Sequence, residues 1–142
     1  MAENTPQGTE WFARFREQRL AARGERLGLL ALRLAMAVRQ NKPDHALDVA
    51  YGFEDATHDA EIGEKNTLRH DLTDRARMFV AMDEELLGEY IASILTPQDV
   101  TAWHEGDLTE HMRQVVDSLA GAEIQVWGSQ DGPEPLRVVV HI

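Results

Sequence analysis

Residues 68–94, LRHDLTDRARMFVAMDEELLGEYIASI, decide the class of fold. Leu68, Leu72, Ala76, Phe79, Leu86, Tyr90 and Ile94 recur at three- and four-residue steps, and Leu87 and Ile91 widen the stripe. That period predicts a helix with one buried side. Upstream, Gly63-Glu64-Lys65-Asn66 reads as a break, preceded by a helix from Pro43, which suits a first helical position, to about Ile62. Before it, a long first helix is expected from Thr9, its N-cap, to about Gln40, where Asn41-Lys42-Pro43 stops it. Gly24 and Gly28 are its weak points, each costing about 1 kcal/mol against alanine.

Downstream, Thr96-Pro97-Gln98-Asp99 restarts the chain with a cap, a first-turn proline and an acid at the positive helix end. Asp107-Leu108-Thr109-Glu110 resembles a capping box and opens a last helix ending near Ala120-Gly121. The period then changes. Leu136, Val138, Val140 and Ile142 alternate with Arg137, Val139 and His141, the signature of a strand with one buried face, and Ile124–Trp127 reads as its partner. The expected fold is mainly α, a bundle of four to five helices with a C-terminal β-hairpin (Ile124–Trp127 and Leu136–Ile142). Its 142 residues suit a single domain. Residues 1–8 are expected to be a flexible N-terminus, 9–121 the bundle and 122–142 the hairpin. A lone hairpin is marginal in water, so it must lie on the helices or extend its sheet with another chain. The last strand carries few gatekeepers and presents an edge open to pairing.

Hydrophobic residues make up 43% of the chain and charged residues 27%, ordinary for a globular protein. The absence of cysteine excludes disulfides, thiolate metal sites and a cysteine nucleophile. The longest mostly apolar run, Leu27–Val38, is about 18 Å of helix against a bilayer core of about 30 Å. No secretory signal is visible at the N-terminus, so a cytoplasmic protein without a membrane partner is expected. No phosphate loop, dinucleotide fingerprint or Gly-x-Ser-x-Gly motif occurs.

The net charge of −11 is unevenly placed. Residues 1–42 carry eight basic against four acidic residues; residues 43–142 carry six against 21. Arg16, Arg19, Arg23, Arg26 and Arg33 follow one face of the first helix. They predict ion pairs within the fold or between subunits; a phosphate-binding surface is the alternative, and the acidic body argues against a nucleic-acid partner. Gly24, Gly28, Ala31 and Ala35 form a small-residue stripe. With the run Leu29–Val38, they make this helix apolar on most sides, as expected in a core or an oligomer interface.

One constellation has chemical potential. Glu54, His58 and Glu61 lie at i, i+4 and i+7, and His70 and Asp74 follow on the next helix. On antiparallel helices these carboxylates and imidazoles could converge on a divalent metal such as Mn, Fe or Zn. The Glu-x-x-His pattern of dimetal bundles is missing, so no cofactor is assigned. His104, Asp107 and His111 would share a face only if a helix ran through Gly106, and are discounted. The expected function is that of a small acidic protein-binding and oligomerisation module without catalysis (an adaptor, inhibitor or assembly factor) that forms a dimer and takes a protein partner. The alternatives are a metal-binding carboxylate–histidine bundle enzyme, or anion or nucleic-acid binding through the arginine face.

Overall fold

The computed structural model describes residues 4–142. Its described residues form six helices and a two-stranded antiparallel sheet, a mainly helical fold closed by a C-terminal β-hairpin. The helices are α1 (Asn4–Arg39), α2 (Asp44–Ala56), α3 (Ile62–Ala81), α4 (Glu84–Ile94), α5 (Pro97–His104) and α6 (Glu110–Ser118). The strands are β1 (Glu123–Trp127) and β2 (Arg137–His141).

α1 organises the rest. It is 36 residues long and unbroken at Gly24 and Gly28. It already covers Asn4, the first described residue, so it does not start after a cap at Thr9. The flexible segment expected over residues 1–8 therefore falls partly on residues 1–3, outside the described residues, and partly on helical backbone. Most of the over-apolar stretch of α1 is covered within the chain: Ala31, Leu32, Ala35 and Met36 are fully buried, and Val38 at its end is exposed. α3, α2 and α6 each pack against α1. Arg75 and Tyr90 close over Gly28, where an added Cβ would stand 3.5 Å from each. The long apolar run thus reports a central helix, and its load gives no reason for a second subunit.

α1 also ties off its neighbours. Asn41 adopts a positive φ of 53°, and Lys42 N–H reaches the Ala37 carbonyl at 2.8 Å to close the helix. Arg39 donates to the Phe79 and Met82 carbonyls at the end of α3. Gln40 and Lys42 donate to the Leu119 and Ala120 carbonyls past the end of α6, at 2.9 and 2.6 Å. Helix ends leave carbonyls without intrahelical partners, and cations are favoured there.

Four expected boundaries move. The capping box expected at Asp107–Glu110 does not form: Thr109, not Asp107, caps α6 by accepting from Met112 N–H at 3.0 Å. The helix expected to reach Ile62 stops at Ala56: Thr57, buried and bonded through its N–H and hydroxyl to the Phe53 carbonyl, leaves helical geometry at φ −119° and ψ 16°. The expected break at Gly63–Asn66 is the first turn of α3, where Glu64 suits the positive end. The single helix expected over 68–94 is two. Met82 is extended, and Asp83 caps α4 by accepting from Leu86 N–H at 2.8 Å. Hence there are six helices where four or five were expected.

The hairpin pairs Glu123 with His141 through Trp127 with Arg137. Val126, Val138 and Val140 are buried, while Glu123, Trp127, Arg137 and His141 are exposed. α4 lies along β2, with Gly88 against the Val138 carbonyl. The edge of the last strand, expected to be open, is covered by this helix.

Candidate functional site

The arginine face of α1 is engaged within the chain. Arg19 meets Asp59 at 2.9 Å, Arg23 meets Glu64 at 2.8 Å, Arg26 meets Asp55 at 2.8 Å and Arg33 meets Asp48 at 3.0 Å. Arg16 is exposed on the same helix. A guanidinium already held by a carboxylate offers a phosphate little net charge. The pair with Arg26 also holds the Asp55 carboxyl below its ordinary range. A shallow groove beside these pairs is floored by Ala22 and Ala56 and bordered by Arg19, Arg26 and His58.

The five residues expected to hold a metal are not brought together. With α2 ended at Ala56, Glu54 and His58 no longer share a helix, and Glu61 precedes the first turn of α3. Glu54 pairs with Lys65, and lies 3.6 Å from Arg69. His58 Nδ1 lies 2.9 Å from the Asp55 carbonyl oxygen. His70 is exposed on α3, and Asp74 lies 3.5 Å from Arg77. Among the described residues, no group of three or more His, Cys, Asp or Glu is placed to hold an ion.

A different acid–imidazole pair is buried. Asp99, 2% exposed, accepts from Thr96 N–H at 2.8 Å, from the Thr109 hydroxyl, and from His111 Nδ1 at 2.6 Å. Burial alone would raise the carboxyl pKa, but the Thr109, Thr96 and His111 bonds together outweigh it and hold the pKa at about 2. A carboxylate can only accept, so His111 Nδ1 carries a proton and Nε2 is the nitrogen left for other contacts. His111 borders a groove of about 530 Å³ between α1 and α6, with Glu25, Arg33 and Gln114. An Asp-oriented imidazole is the arrangement of a general base. The nearby Ser118 hydroxyl, however, donates to the Gln114 carbonyl at 2.8 Å. Asp99 is at the same time the inner member of the capping box that Thr96 opens on α5, and Thr109 is the cap of α6, so the cluster also clamps two helix starts. The sequence places Asp99 at the positive end of the helix capped by Thr96, and His111 is discounted with His104 and Asp107. Their meeting depends on the turn at Gly106, with φ of 80°.

An exposed apolar pair one turn apart lies on α2. Val49 and Phe53 face the core, while Leu47 and Tyr51 stand 60% and 67% exposed on the opposite side. Ala46 and Ala50 connect this outer face to an apolar groove of about 350 Å³ between α2 and α3, lined also by Leu34, Phe53 and Leu72. Arg69 closes one end, its guanidinium 5.2 Å from the centroid of the Phe53 ring. The signal was available in the sequence: within Asp44–Ala56 apolar residues occupy two opposite faces, one more than a surface helix needs. Comparison with protein-family models, curated proteins and solved structures finds no match for this chain.

Proposed function

We propose that this protein is a protein-binding module that receives an amphipathic partner helix on α2. The observation that carries the reading is the pair Leu47 and Tyr51, one turn apart and exposed on a helix whose opposite face is already in the core. A helix apolar on both sides is ordinarily covered on both. The groove between α2 and α3 continues the face, and side chains one and two turns apart on a docked helix would fill it. Of the four acids on α2, Asp48, Glu54 and Asp55 are already paired with Arg33, Lys65 and Arg26. The preference for a partner whose apolar stripe is flanked by basic residues therefore rests on the net charge of −11.

The test is a Leu47→Asp, Tyr51→Asp double variant. Both positions are exposed, so the fold is retained. A partner captured by cross-linking in cell extract, identified and then reassembled from purified components should bind the double variant at least about tenfold more weakly, the effect of losing one strong anchor. A control substitution on α5, Thr101→Asp, should leave binding intact. Equal binding by wild type and the double variant would overturn the reading.

A further inference from the structure

The outer edge of β1 has a defined set of backbone groups, fixed by three observations. α4 runs along β2 and not along β1. A Cβ built on Gly88 of α4 would fall 2.2 Å from the Val138 carbonyl oxygen. The Ile142 N–H donates to Glu84 Oε1, also on α4, at 3.3 Å. The backbone groups of residues 138, 140 and 142 therefore point away from β1. In an antiparallel ladder the residue opposite an outward-pointing one points outward too. Val126 stands opposite Val138, and Ile124 opposite Val140. Ile124 and Val126 thus turn their N–H and C=O groups to the free side of β1, where no partner meets them among the described residues. Next in the same alternation, Ala122 N–H reaches the Leu119 carbonyl at 3.0 Å, and the Gly128 carbonyl lies 2.8 Å from His104 Nε2. The edge is closed at both ends and open between them.

We propose that a second copy of this chain pairs there, β1 against β1, antiparallel about a two-fold axis through Gln125. The result is a four-stranded sheet in the order β2-β1-β1-β2. The segment Glu123–Trp127 is self-complementary in this register. Ile124 of one copy falls opposite Val126 of the other, and the two exchange both of their outward hydrogen bonds. Glu123 falls opposite Trp127 of the second copy, over whose ring the Arg137 guanidinium lies 5.8 Å from the centroid. Each end of the pairing therefore sets a carboxylate beside a cation. The apolar row of Ile124, Val126, Val138 and Val140 continues from one copy into the next. No proline or lysine interrupts the strand, the usual protection of an edge. The pairing uses no residue of the α2 face and stands apart from the proposed function.

The test exploits the absence of cysteine. In this register the two Gln125 residues form a non-hydrogen-bonded pair with Cα atoms about 4.5 Å apart, within disulfide range. Gln125→Cys should oxidise to a covalent dimer, while a Thr101→Cys control on α5 should not. Light scattering on the wild type should show the mass rising with concentration toward twice 16.0 kDa. Ile124→Pro removes one outward N–H and no bond of the hairpin, and should abolish the rise. Gln125→Lys places two like charges on the axis, at a half-buried position on the strand face opposite Val126, and should do the same if Ile124→Pro fails to fold. The Leu47→Asp, Tyr51→Asp variant should dimerise like the wild type, which separates this proposal from the partner-helix reading. A mass of one chain at every concentration, or a dimer untouched by Gln125→Lys and not trapped by Gln125→Cys, would overturn it.

Discussion

Asp99 is the residue on which two helix starts depend. Its carboxylate accepts from the start of α5 through Thr96 and from α6 through Thr109 and His111. The folded pKa of about 2 lies below the ordinary 3.8, so the folded state binds this proton less readily than the unfolded chain. The stabilisation is therefore complete above the ordinary value and is lost as pH falls from 3.8 to about 2. It amounts to about 2 kcal/mol. Asp99→Asn should be less stable than the wild type by about that amount at neutral pH, because the amide presents an N–H₂ to groups that are themselves donors. Urea unfolding followed across this range should show the gap between the two proteins closing as the wild-type carboxylate protonates. A gap that stays constant down to the bottom of the range would mean that the charge contributes nothing and only the shape of the cap matters.

At the scale of elements, the contact of α4 with β2 rests on one missing side chain. Gly88 is buried, and a Cβ there would lie 2.2 Å from the Val138 carbonyl oxygen and 3.1 Å from its carbon, backbone atoms that cannot rotate away. Gly88→Ala should cost about 1–3 kcal/mol, as overpacking does. Gly24→Ala, in α1 with nothing within 4 Å, should instead gain up to about 1 kcal/mol. Opposite signs in denaturant midpoints confirm the packing; a neutral Gly88→Ala would refute it. The same elements show what was legible. Period-three-and-four spacing located the helical regions, and period-two spacing located the hairpin to within a residue or so at each strand. Thr96 was readable as a cap and Asp99 as an acid suited to the same helix start, because both signals are local chemistry. Asp83-Glu84-Glu85 is an equally local helix start, masked by an apolar stripe that continues across the break. The early end of α2 was not readable, since no glycine or proline marks it and Thr57 is buried only through its packing. Nor was the Asp99–His111 pair or the covering of β2 by α4, both set by the path of the chain between elements.

For the whole molecule, the division of charge between α1 and the remaining chain is resolved by a seam of ion pairs along one helix. Arg19, Arg26 and Arg33 reach their carboxylates with at least one partner largely exposed, and pairs of this kind contribute between nothing and about 1 kcal/mol each. Arg23, with its side chain only 16% exposed, is the best shielded of the four. Against the seam stands the surplus of acids, a net charge of −11 that opposes compaction through self-repulsion. Salt screens both, over a Debye length of about 8–10 Å at ordinary ionic strength. The pairs sit within 3.0 Å and are partly shielded, whereas the unpaired acids are spread over the surface and repel through solvent. Screening therefore removes more repulsion than attraction, and the midpoint of thermal unfolding should rise with sodium chloride. In an Arg19→Glu, Arg26→Glu variant, which removes two pairs and adds four units of negative charge, the rise should be steeper. A midpoint that falls with salt in the wild type would show that the seam on α1, and not the acidic surplus, governs the electrostatic balance of the fold.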